Sequence, residues 1–84
     1  MNFWDQNFSV AGFKYGTASN AFLVAQAHRL KRGSEVLVPG DGEGRNGVWL
    51  AQQGHRVTAM DGSAVGLQKA QTLATERGVA LQTV

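Results

Sequence analysis

Cysteine is absent from the 84 residues, so neither a disulfide framework nor a thiolate metal site is open to this chain, and cysteine usage says nothing about redox compartment. Histidine occurs twice, at His28 and His55, too sparsely for a metal-ligand pattern. Charge is scarce as well: eight basic and six acidic residues leave a formal +2, and the only basic cluster is Arg29, Lys31 and Arg32. Those three fall at the end of an expected helix, where cations complement the dipole, so they give no reason to expect a nucleic-acid partner. No apolar run approaches the roughly 18 residues of a membrane-spanning helix, and Met1 to Asp5 lack the basic and apolar regions of a signal peptide. The expectation is a soluble, cytoplasmic protein with no membrane partner, in which the glycosylation sequon Asn7, Phe8, Ser9 stays idle. No serine sits in a nucleophile elbow, which leaves a serine hydrolase unsupported.

What is present is 43% hydrophobic residues, enough for one small domain that buries roughly 60 to 65% of its unfolded surface and is marginally stable. Residues 1–19 read as an aromatic lead-in, irregular or partly helical, carrying Phe3, Trp4, Phe8, Phe13 and Tyr15. From 20 to 84 the pattern is a helix followed by a βαβαβ unit. Asn20 caps an amphipathic helix with Leu23, Ala27 and Leu30 on one face, stopped by Gly33. Glu35 to Pro39 is a short, nearly continuous apolar run, of the kind that forms a parallel strand buried on both faces. A glycine loop leads into a helix through Val48, Trp49 and Leu50 that ends at Gly54, with Trp49 expected in the core. Arg56 to Met60 form a second strand, Ser63 caps a helix with the face Leu67, Ala70, Leu73, Ala74 and the stop Gly78, and Val79 to Val84 open a third strand. The connections run about 16 and 18 residues, above the minimum of a parallel crossover, which gives an α/β class.

The loop Gly40, Asp41, Gly42, Glu43, Gly44 is the chemical centre of this pattern. Glycines between a strand and a helix let backbone approach a ligand closely. Asp61 ends the second strand 21 residues after Gly40, where a carboxylate can accept both ribose hydroxyls of an adenosine. The competing reading has the glycines making turns and Asp61 capping the helix near Ser63. Gly42, Gly44 and Gly47 also fit the dinucleotide fingerprint, but a pyrophosphate there would meet Asp41 and Glu43, each repulsion being about 3 kcal/mol at 5 Å and an effective dielectric near 20. S-adenosylmethionine carries no phosphate, its cations suit an acidic loop, and its one carboxylate has Arg45 or the helix N-terminus to meet it.

The run Val36 to Asn46 resembles motif I of the class I, Rossmann-like methyltransferases, and Val57 to Ser63 resembles motif II. Trp4, Asp5, Tyr15, Gly16, Thr17, Asn20, Phe22 and Leu23 look like the segment preceding motif I in the tellurite-resistance and thiopurine-type members. The resemblance implies a three-layer Rossmann-like half domain with parallel strands in the order 3-2-1, truncated relative to the seven-stranded methyltransferase sheet. It implies S-adenosylmethionine as cofactor, with Gly40, Gly42 and Gly44 lining methionine and ribose, Asp61 with its neighbour Gly62 at the ribose, and Tyr15 and Gly16 closing over the ligand. The acid common in the family two residues before the first glycine is here Val38, a gap Asp41 is placed to fill.

Because the acceptor-orienting half of that fold is absent, the expected function is a cofactor-binding half of a small-molecule methyltransferase that does not transfer methyl by itself. The alternatives are a nucleotide-binding module, or a small hydrolase recruiting Asp41, Glu43, Asp61 and His55. A first strand left at a sheet edge further predicts a homo-oligomer, formed by edge pairing or by exchange of elements.

Overall fold

Valines at alternate positions and flanking glycines make a strand of Glu35–Pro39 (β1), and the computed structural model, which describes residues 2–9 and 11–84, places it at one side of a three-stranded sheet. Met1 and Val10, both within the expected lead-in, lie outside the described residues. β1 pairs in parallel with Arg56–Met60 (β2), Val36 opposite Val57 and Val38 opposite Ala59. β2 pairs in parallel with Gln82–Thr83 (β3). The strand sequence β1-β2-β3 is the expected 3-2-1 order seen from the other side.

Two helices make the crossovers, Arg45–Gln52 (α3) after β1 and Ala64–Glu76 (α4) after β2. Right-handed crossovers that advance in one direction put their helices on the same face of a sheet. That face holds the core: Val48 and Leu50 of α3, Ala70, Leu73 and Ala74 of α4, Val57 and Ala59 of β2, and Leu81, with Trp49 packed against them as expected. The other face carries no helix among the described residues, so two of the three expected layers are present.

The reading of β1 as buried on both faces is corrected accordingly. Val36 and Val38 turn to the core, whereas Leu37 is 56% exposed and the Glu35 and Arg56 side chains pair at 3.6 Å in solvent. Apolar content alone does not reveal whether both faces have a cover; in a sheet whose crossovers all run one way, only one does.

Two boundaries also differ from the pattern. The helix begun by Asn20, whose side chain accepts from the amides of Phe22 and Leu23, runs only over Ala21–Gln26 (α2) and then tightens into a 3-10 turn, Ala27–Arg29. His28 Nδ1 sits 3.0 Å from the Ala25 carbonyl oxygen, the acceptor that a continuing helix would offer to the amide of Arg29. Lys31 and Arg32 therefore lie beyond any helix end. The third strand is shorter than Val79 to Val84 because the Val79 amide is tied to the Ala74 carbonyl and Leu81 turns into the core. Pairing with β2 continues past Thr83, through Val84 to the Ala59 carbonyl and Asp61 to the Val84 carbonyl. In the lead-in, Asn2 caps a short helix, Phe3–Phe8 (α1), that packs on α4. Among the described residues no helix is long and apolar enough to cross a membrane.

Candidate functional site

Where β1 and β2 end side by side, the chain makes a cavity of about 670 Å³, within the size range of small-molecule sites. Its floor is the loop after β1. The Gly40 and Asp41 amides both reach the Met60 carbonyl, at 2.7 and 3.3 Å, which fastens the start of the loop to the end of β2. Asp61 fastens the rest: one carboxylate oxygen accepts from the Gly42 amide at 2.8 Å and the other from the Ser63 amide at 2.9 Å. Ser63 in turn caps α4, accepting from the Gly66 amide. Asp61 thus supports the helix start and stands in the cavity wall.

The two acids of the loop itself, Asp41 and Glu43, are buried, each for its own purpose. Both Asp41 carboxylate oxygens lie 3.2 to 3.3 Å from the Gly47 amide in the first turn of α3. Burial pushes this carboxyl above its ordinary value, and the nearby Asp61 charge adds to the rise, while the amides of Gly47 and Asn46 and the Arg45 guanidinium oppose it. Glu43, 5% exposed, pairs with Lys69 of α4 at 2.9 Å and accepts from the Lys14 amide at 2.6 Å.

Glu43 therefore anchors a strap, residues 2–9 and 11–19, that supplies Trp4, Phe8 and Tyr15 to the cavity wall and is held at three main points. At the first, Asp5 accepts from the Ser63 hydroxyl at 2.5 Å and from the Val65 amide, and the Ser63 bond, foremost among several, holds the Asp5 carboxyl below its usual value. At the second, Lys69 donates to Glu43 and to the Gly12 carbonyl, and lies 5.9 Å from the Phe13 ring centre. At the third, Asn46 of α3 accepts from the Ser19 hydroxyl and the Asn20 amide. Apolar contacts reinforce them: the buried Phe8 ring is lodged against Gly42 and Gly66, and Phe13 packs against the core.

Seven of the nine residues expected at the site share the cavity wall: Gly40, Asp41, Gly42, Arg45, Asp61 and Gly62 from the sheet end, and Tyr15 from the strap. Gly16 and Gly44 do not line it. Gly44 has φ +92° and faces α4, where an added Cβ would stand 2.5 Å from that of Ala70, so this glycine serves helix packing. Sequence reasoning did not single out Trp4, Phe8, Asn46 and Met60 as wall residues. Met60 had a signal, its place directly before Asp61 at a strand end; the other three depend on contacts distant in sequence. His55 approaches the Ser34 amide and is not in the wall, so the hydrolase set is not assembled. Among the described residues no three acids or histidines could hold a metal ion.

Comparison with known proteins agrees with this geometry. A structure described under the conversion of a disulfide bond into a thioacetal group during echinomycin biosynthesis is 29% identical over 80% of this chain, with a TM-score of 0.71. A TehB-like SAM-dependent methyltransferase from Corynebacterium glutamicum is 28% identical over 94%, with a TM-score of 0.65. A SAM-dependent methyltransferase from Geobacter sulfurreducens, in complex with S-adenosyl-L-homocysteine, is 25% identical over 100%, with a TM-score of 0.70. The chain spans 29%, 39% and 36% of those three chains. Curated proteins give no match. The family model for thiopurine S-methyltransferase matches residues 1–83, and with its strand order and glycine loop in place the chain belongs to that family of methyltransferases.

Proposed function

We propose that this chain forms the S-adenosylmethionine-binding part of a small-molecule methyltransferase. The observation that carries the reading is Asp61, a carboxylate in the cavity wall held rigid by two amides, each of its oxygens keeping a further acceptor position for a ribose hydroxyl. Gly40 adds room beside it: a Cβ there would meet nothing within 4 Å, so backbone is open to a ligand. Trp4, Phe8, Tyr15 and Met60 give an apolar wall for the adenosyl group, and Arg45 gives a partner for the amino-acid carboxylate. When bound, the cofactor supplies an activated methyl group on a sulfonium; the residues present hold it and shield it.

Titration calorimetry with S-adenosylhomocysteine tests this. The wild type is expected to bind, and Asp61→Ala to weaken binding at least about tenfold, since hydrogen bonds to a charged group contribute roughly 1.5 to 3 kcal/mol. No binding at millimolar ligand, or an unchanged affinity in Asp61→Ala, overturns the assignment.

We further propose that residues 1–84 bind without transferring methyl. Relatives with this fold are about three times as long, and in-line transfer needs walls that orient the acceptor. Turnover with a panel of small acceptors that Asp61→Ala abolishes would refute this.

A further inference from the structure

We propose that Asp41 sets the charge of the ligand at this site: seated on the first turn of α3, it suits the glycine loop to an adenosyl sulfonium and turns adenosine phosphates away. The inference rests on the cofactor reading above and sharpens it. A helix N-terminus gathers unpaired amides and positive potential, which is why loops of this kind so often bind phosphate. Here the chain supplies its own anion. The N-cap residue of α3 is Gly44, which has no side chain to cap with, and the Asp41 carboxylate reaches the Gly47 amide instead.

The seat is shaped for it. A Cβ on Gly47 would stand 2.3 Å from Asp41 Oδ2 and 3.3 Å from its Cγ, so the absence of a side chain at Gly47 is what lets the carboxylate in. Gly47 is also the last glycine of the spacing that matches a dinucleotide fingerprint, and the structure shows the space beside it filled by protein. Around the cavity, Asp41 and Asp61 face a single cation of the described wall, Arg45, which leaves the wall one negative charge in excess. A sulfonium relieves that excess; a phosphate adds to it.

The test is calorimetric titration of the whole chain with four ligands: S-adenosylmethionine, S-adenosylhomocysteine, adenosine and ADP. The wild type is expected to bind ADP at least about tenfold more weakly than adenosine. Asp41→Asn keeps the shape and an acceptor for Gly47 but removes the charge. It should shift the methionine to homocysteine preference about tenfold toward the uncharged thioether and narrow the adenosine to ADP ratio by a similar factor. Asp41→Ser is the second variant, and both ratios are taken within one protein, so a general loss of stability cancels from them. Wild type that binds ADP as well as adenosine, or variants in which neither ratio moves, overturns the proposal while S-adenosylhomocysteine binding leaves the cofactor reading standing. If both variants fail to fold, the wild-type ADP to adenosine ratio decides alone. Failure of every adenosyl ligand to bind overturns the two together.

Discussion

The floor of the cavity and the strap at its wall are held by different kinds of force. The floor adds close packing to its backbone hydrogen bonds: Gly44 meets Ala70 with no space for a methyl group, and the Gly40, Asp41 and Gly42 amides are tied to Met60 and Asp61 at the end of β2. Apart from Phe8 and Phe13, the strap is held by polar groups whose partners lie on the loop after β1, on α3 and α4, and on the loop before α4. Packed contacts fail abruptly when a methylene is added, whereas hydrogen bonds and ion pairs can be released and remade. The difference teaches that fold and site closure can be altered separately.

The sharpest test of the floor is Gly44→Ala. An L residue at φ +92° is strained, and its Cβ would overlap Ala70, so stability should fall by about 3 kcal/mol or more, enough to abolish a cooperative urea transition in a domain this small. A cooperative transition within about 1 kcal/mol of wild type would show that the floor yields like the strap.

Lys69→Met should cost less and act elsewhere. It keeps the aliphatic stem but leaves Glu43, with its side chain 4% exposed, without its ion-pair partner. A buried pair broken from one side costs about 3 to 5 kcal/mol; because the Lys69 side chain is 22% exposed, about 2 kcal/mol is expected. Hydrogen exchange should quicken at residues 11–16 and stay slow in β2 and α4. Equal acceleration everywhere would erase the distinction between strap and floor.

Gly66→Ala probes the place where the two meet. Alanine favours the helix by about 1 kcal/mol, but its Cβ would stand 2.9 Å from the Phe8 ring and 3.2 Å from the Gly42 carbonyl. The net loss should be about 1 kcal/mol, with α1 detached, seen as increased protease cleavage before residue 10.

The smallest effect concerns pH. Asp5 has its folded carboxyl held below the ordinary 3.8, so its contribution is fully present above that value and disappears as pH falls through the lower folded one. Asp5→Asn should melt below wild type at neutral pH, and the two curves should converge under acid conditions. A gap that persists at pH 2 would mean the Asp5 charge is not what secures the first anchor.

Much of the floor was legible in the sequence because its signals are local. Asn20 and Ser63 cap helices where their residue types say they should, β1 and β2 occupy the expected residues, and Asp61 stands at the strand end. The strap's attachments were not legible, since a bond from Lys14 to Glu43 or from Asp5 to Ser63 leaves no periodic trace. Glycines show the same boundary. Gly40, Gly44 and Gly47 look alike in sequence, yet one leaves space beside the cavity, one admits a neighbouring helix and one admits a carboxylate. Which applies depends on what tertiary structure brings opposite each.

The strap's three anchors also order events during synthesis. Its attachment points lie far downstream: 26 residues for Asn20 to Asn46, 29 for Lys14 to Glu43 and 58 for Asp5 to Ser63. Every one of these partners follows the strap in sequence, so no anchor can form until its partner has been synthesised. The second anchor is the last to be completed, because Lys69, which holds Glu43 and the Gly12 carbonyl, lies beyond the Asp5 partners Ser63 and Val65. Until α4 has been made, the Phe8 ring, buried in the folded chain against Gly42 and Gly66, is aromatic surface on a nascent chain.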